Sequence, residues 1–129
     1  MKDNSHAKKQ ARAQLNSILE MVEEWHDTND DDAFEEAERA ILESALSVEV
    51  RSDWHAPGTD PDIDTEYQIL LCTGAPAVMI RGELNGYQRP ETARLYYQDW
   101  FTPWTEYTDI SESEREAMLT YCQCFYFDA

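Results

Sequence analysis

Residues 66–84 read Glu66-Tyr67-Gln68-Ile69-Leu70-Leu71-Cys72-Thr73, then Gly74-Ala75-Pro76, then Ala77-Val78-Met79-Ile80-Arg81-Gly82-Glu83-Leu84. Two apolar-rich runs flank a break too short to hold a crossover, so they pair as antiparallel neighbours. The unbroken run Ile69-Leu70-Leu71-Cys72 predicts burial on both faces. Downstream, Asn85-Gly86 opens a second turn, which Tyr87 to Pro90 lengthens beyond a two-residue hairpin. Ala93 to Phe101, rich in Tyr and Trp, reads as a further strand, and Pro103 ends it. Upstream, Val48 and Val50 alternate with Glu49, Arg51 and Asp53, the pattern of a half-buried strand from Ser47 to Trp54. His55 to Asp64 is a loop, with Pro57-Gly58 and Pro61 as breakers. Four strands with short connections make an antiparallel meander.

On either side of the strands the period changes to that of a helix. Ala11, Leu15, Ile18, Val22 and Trp25 recur at steps of four and three, one apolar stripe of a helix over residues 5–26, which Leu19 widens. Asp27-Thr28-Asn29-Asp30-Asp31-Asp32 breaks it. Asp32 and Glu35 form a capping-box-like pair for a second helix with the stripe Phe34, Ala37, Ile41 and Ala45. Ser111 and Glu114 form a capping box for a last helix, with Ala117, Met118, Tyr121, Cys122 and Phe125 on its apolar side. The order ααββββα predicts one α+β domain over 1–129, its two N-terminal helices and one C-terminal helix packed on a four-stranded antiparallel sheet. Residues 1–46 are a helical acidic arm, 47–102 the sheet and 111–126 the C-terminal helix.

The formal net charge is −17, from 27 acids and 10 bases. Self-repulsion at this density opposes compaction, so the charge points to a partner. Aromatics at 12% exclude a disordered acidic chain. The excess is concentrated: residues 20–66 carry 17 acids against Arg39 and Arg51, whereas residues 1–19 are net basic. Phosphates would be repelled, so direct nucleic-acid contact is not expected, and a basic protein surface is the natural complement. Neither a secretory signal nor an apolar run of bilayer length occurs, so no membrane contact is expected. Three cysteines, an odd number, fit reduced thiols in a cytoplasmic protein.

Several constellations compete with a purely structural account. Asp27, Asn29 and Asp31, with Glu38 closing a twelve-residue frame, approach a calcium-loop template. Its sixth position is Asp32 where the template wants Gly, and Asp60, Asp62 and Asp64 repeat the spacing without a closing Glu. Cys72, Cys122 and Cys124, with His6, His26 and His55 scattered, suit buried small hydrophobes better than a zinc site. No GxSxG, P-loop, HExxH or Gly-rich dinucleotide motif appears, so the chain reads as a non-enzyme without a cofactor. Tyr96, Tyr97, Trp100, Phe101, Trp104 and Tyr107 cluster near one strand end. Adjacent strand residues face opposite sides, so this group is either core or binding surface, with Trp100, Trp104 and Tyr107 as candidate anchors.

The segments Tyr67 to Gly74, Arg81-Gly82-Glu83-Leu84, Tyr97-Gln98-Asp99-Trp100, Thr102-Pro103-Trp104-Thr105 and Tyr121 to Phe127 together resemble a family of small acidic proteins encoded by phages, prophages and conjugative elements. The resemblance spans nearly the whole chain. It implies a genetic setting and supplies no catalytic residues. By analogy it implies inhibition of host defence, of anti-CRISPR or anti-restriction type. The expected mechanism is then occupation of a basic, nucleic-acid-binding site on a host protein by carboxylates that replace phosphates. Glu20, Glu23, Glu24, Asp27, Asp30, Asp31, Asp32, Glu35 and Glu36 are the candidate contacts. A cation-responsive regulator using the calcium frame is the alternative, and a monomer and a homodimer are both compatible with the sequence.

Overall fold

A computed structural model describes residues 5–52, 54, 56–58, 64–74, 76–99, 102–125 and 127. Within them the elements are α1 (Ser5–His26), α2 (Asp31–Ser44), β1 (Ser47–Arg51), β2 (Glu66–Cys72), β3 (Ala77–Glu83), β4 (Arg94–Gln98), β5 (Thr105–Tyr107) and α3 (Glu112–Gln123). The strands lie in the order β1-β2-β3-β4-β5, all antiparallel. The α+β class, the meander and the three helices are as the sequence predicts. The sheet has a fifth strand, because three residues after Pro103 pair with β4 through Leu95↔Tyr107 and Tyr97↔Thr105.

All three helices share one core with one face of the sheet. Ala7, Ala11, Leu15, Ile18 and Val22 of α1, Ile41 of α2, and Met118, Tyr121 and Cys122 of α3 meet Tyr67, Ile69, Val78, Ile80, Leu95 and Tyr97. α1 lies over β3 and β4 and along α3, so the N-terminal segment is the spine of the core and not a detached arm. Arg12 pairs with Glu114 at 2.5 Å, joining α1 to the first turn of α3. The Ser44 and Tyr121 hydroxyls meet at 2.5 Å, joining α2 to α3.

Three local expectations are corrected. The apolar run in β2 reflects a bulge, not burial on both faces: the register shifts between Leu70 and Cys72, and Leu71 and Cys72 both join the helix-side core. β1 ends at Arg51, short of Trp54, and is not half-buried. Val48 and Val50 lie beside Ile69 and Tyr67, on the helix side, yet are 38% and 41% exposed, because α1 covers β3 and β4 and leaves this edge bare. Finally, Asp30 caps α2 in place of Asp32: its backbone is extended (φ −138°, ψ 161°) and its Oδ1 accepts from the Ala33 amide at 2.7 Å. The capping box at Ser111 and Glu114 forms as predicted.

The opposite sheet face carries a polar ladder. Gln68 donates to Glu49 at 3.3 Å, Arg81 donates to Gln68 at 2.8 Å, and the Arg81 guanidinium stands 5.9 Å from the centroid of the Tyr96 ring. Met79, between Leu70 and Tyr96, is buried outside the helix-side core.

Candidate acidic docking site

Glu20, Glu23, Glu24 and Asp27 recur at steps of three, one and three, which places them on one stripe of α1. The core positions Ile18 and Val22 lie two residues away from Glu20, so the acidic stripe is turned from the core, and all four side chains are exposed. The chain leaves α1 through Asp27, whose amide still donates to the Glu23 carbonyl at 3.0 Å, and Thr28, whose hydroxyl donates to the Trp25 carbonyl at 3.0 Å. Asp30 then starts α2. The result is an open concavity of about 570 Å³ lined by Glu20, Glu23, Glu24, Asp27, Thr28, Asn29, Asp30 and Ala33. Five of the nine candidate acids meet there. Asp31, Asp32, Glu35 and Glu36 are exposed on α2 but do not line it.

None of the nine carboxylates forms an ion pair among the described residues, where the two ion pairs are Arg12–Glu114 and Arg51–Glu66. Helix electrostatics separates seven of the nine into two groups. Asp30, Asp31 and Asp32 sit at the start of α2, where negative charge is stabilised by about 0.3–1 kcal/mol each, so local stability accounts for them. Glu23 and Glu24 occupy the last turn of α1 and Asp27 follows it, where the same dipole opposes negative charge. Their like-charged neighbours at i,i+4, Glu20 with Glu24 and Glu23 with Asp27, add about 0.2–0.5 kcal/mol of repulsion per pair. Folding gains nothing from this stripe.

Beneath the junction, the rings of Trp25 and Phe34 approach to 5.5 Å and fix α2 against the end of α1. Trp25 Nε1 is buried and has no hydrogen-bond partner among the described residues. The sequence assigned both residues to apolar stripes. Their role in shaping the concavity has no sequence signal, since it depends on the angle between the helices.

The other candidates fare differently. Tyr107 is buried in the helix-side core, so its ring is not offered to a partner and it is withdrawn as an anchor. Trp104, 36% exposed, remains at the surface beside β5. Trp100 lies outside the described residues, as do Phe101, His55, Asp60 and Asp62. The calcium frame of Asp27, Asn29, Asp31 and Glu38 does not form its loop, because α2 begins at Asp31 and positions 31–38 are already helical. Among the described residues, no group of three or more His, Cys, Asp or Glu side chains is placed to hold a metal ion. The cysteines are free thiols. Burial raises the pKa of each, and that of Cys122 reaches about 12, so they are packing groups and poor nucleophiles. Among the described residues no helix is long and apolar enough to cross a membrane.

A second concavity of about 500 Å³ lies at the other end of α1, lined by Lys8, Lys9 and Arg12 together with Tyr97, Thr105, Glu106, Tyr107, Thr108 and Asp109. Glu106 and Asp109 share it with these cations, so this concavity is mixed in sign, whereas the charged residues that line the first are all acids. No protein-family model, curated protein or solved structure matches the chain.

Proposed function

We propose that this chain is a binding protein, not a catalyst, and that its acidic concavity occupies a basic site on a host protein of the kind that grips nucleic acid. One observation carries the reading: Glu20, Glu23, Glu24 and Asp27 form a stripe without ion pairs among the described residues, set against mutual repulsion and, from Glu23 on, against the dipole of its own helix. Charge placed at a cost to the fold is explained by a partner that neutralises it. Carboxylates accept charge-assisted hydrogen bonds from Arg and Lys that are roughly twice as strong as neutral ones. Such a site imitates a phosphate run, which suits the mobile-element setting implied by the sequence resemblance and a defence nuclease, of CRISPR or restriction type, as target. A cytoplasmic location agrees with three unpaired thiols.

The test compares wild type with Glu20→Gln/Glu23→Gln/Glu24→Gln/Asp27→Asn. The variant should melt at or above the wild-type temperature, since it loses repulsion. It should fail to capture from host lysate a nucleic-acid-binding protein that wild type retains. DNA or RNA should displace wild type from that protein, and affinity should fall steeply with salt. Equal capture by the two proteins, or affinity indifferent to salt, would remove the acidic stripe from the account.

A further inference from the structure

The bare edge at β1 poses a separate question. Edge strands invite pairing, and natural sheets blunt them with short length or charge on the exposed side. β5, at the other edge, is three residues long. β1 has five residues, with Val48 and Val50 on the helix side and Leu46, just before it, 59% exposed. Its other side carries Glu49 and Arg51, two residues apart on the same face and of opposite sign.

A second copy pairing antiparallel on this edge is related by a two-fold axis normal to the sheet, so the axis passes midway between one residue of β1 and its own twin. Each choice of centre fixes what meets what. Centring on Glu49 sets two carboxylates directly opposite one another, which is destabilising. Centring on Val48 sets Glu49 opposite Ser47 and makes no charge pair between the copies. Centring on Val50 joins Val50 to its twin and sets Glu49 of each copy opposite Arg51 of the other. Both charge pairs then form at once.

We propose that the chain forms a symmetric dimer by antiparallel β1–β1 pairing centred on Val50, which extends each five-stranded sheet into its twin. Arg51 keeps its own Glu66, and a guanidinium with five donors serves both carboxylates. The ladder Arg81–Gln68–Glu49 then runs on into Arg51–Glu66 of the second copy. Repulsion between two bodies of charge −17 is screened beyond about 8 Å at physiological ionic strength, while the paired side chains are in contact. The proposal is independent of the acidic concavity, which involves neither β1 nor its neighbours.

Sedimentation of four proteins and one mixture tests it. Wild type should sediment as a dimer. Glu49→Arg sets a guanidinium opposite Arg51 of the second copy, and Arg51→Glu sets a carboxylate opposite Glu49. Each variant alone therefore faces like charge twice, and should be monomeric with an unchanged far-ultraviolet spectrum. In an equimolar mixture both contacts set a guanidinium of the Glu49→Arg chain opposite a carboxylate of the Arg51→Glu chain, so the two variants should sediment together as a heterodimer. A doubly substituted Glu49→Arg/Arg51→Glu chain likewise restores both opposite-sign pairs with its own twin and should again sediment as a dimer. Misfolding of either single variant cannot produce that rescue. Wild type that stays monomeric up to millimolar concentration overturns the proposal. So does a dimer that survives both single reversals, or a double variant that stays monomeric while folded.

Discussion

Gly82 stands in β3 opposite Tyr67, with the backbone of Thr92 packed across it. A Cβ at this position would collide with the Thr92 carbonyl oxygen and lie 2.7 Å from Cε1 of Tyr67. The obstacle is partly backbone, and the Tyr67 hydroxyl is itself anchored to the Thr92 carbonyl at 2.6 Å, so the neighbours cannot easily retreat. Gly82→Ala should therefore destabilise the fold by about 3 kcal/mol or more, at the upper end of overpacking costs, read as a fall in the urea midpoint. An unchanged midpoint would show that β3 can shift. Nothing in residues 81–84 distinguishes this glycine from a tolerant one, because the atoms that crowd it come from positions 67 and 92. The same holds for Arg12 and Glu114, 102 residues apart. The capping role of Glu114 was readable because Ser111 is three residues away; its charge partner was not.

Elements were legible where their period was long. The stripe of α1 and the capping box of α3 gave the observed helices. β5 escaped because three residues carry no period, and the exposure of β1 escaped because alternation reports a preferred face without saying whether anything covers it. In the run from Asp27 to Asp32, five of the six residues are Asp or Asn and Thr28 can cap as well, so local chemistry could not select the cap of α2. The structure selects Asp30, and this allows its two roles to be separated. Asp30→Ser keeps an oxygen for the Ala33 amide and should leave thermal stability within about 0.5 kcal/mol of wild type, whereas Asp30→Ala should lose about 1 kcal/mol. Both remove one charge from the concavity, so both should weaken partner binding alike. Binding that follows the cap instead of the charge would mean that the site depends on the rigidity of α2 and not on the carboxylate.

Across the whole molecule, charge and packing are segregated. The core lies between the helices and one sheet face, while the acidic concavity sits at the end of α1 remote from its ion pair with α3. That pair gives the fold a distinct acid response. The Arg12 guanidinium, followed by the Ser111 amide, holds the Glu114 carboxyl at about 2, down from the ordinary 4.5. A depressed carboxylate stabilises the fold above its unfolded value, and that contribution disappears as pH falls through the folded one. The stability difference between wild type and Glu114→Gln should be constant above about pH 4.5, of order 1 kcal/mol or less because the pair is partly exposed. It should shrink towards zero by about pH 2, measured by urea titration at each pH. A difference independent of pH would show that the charge of Glu114 contributes nothing and that the substitution acts through packing. The fold class was visible in the sequence because hydrophobic period survives translation into structure. The concavity was visible only as a list of acids, since which of them converge depends on how α2 turns back on α1.

The packing of α1 against α3 has a consequence for synthesis on the ribosome. The first helix emerges with its apolar stripe and has to wait roughly a hundred residues for the helix that seals it. Until then the side of α1 that faces α3 is uncovered, and a nascent chain stalled before Glu112 leaves that seam unsealed.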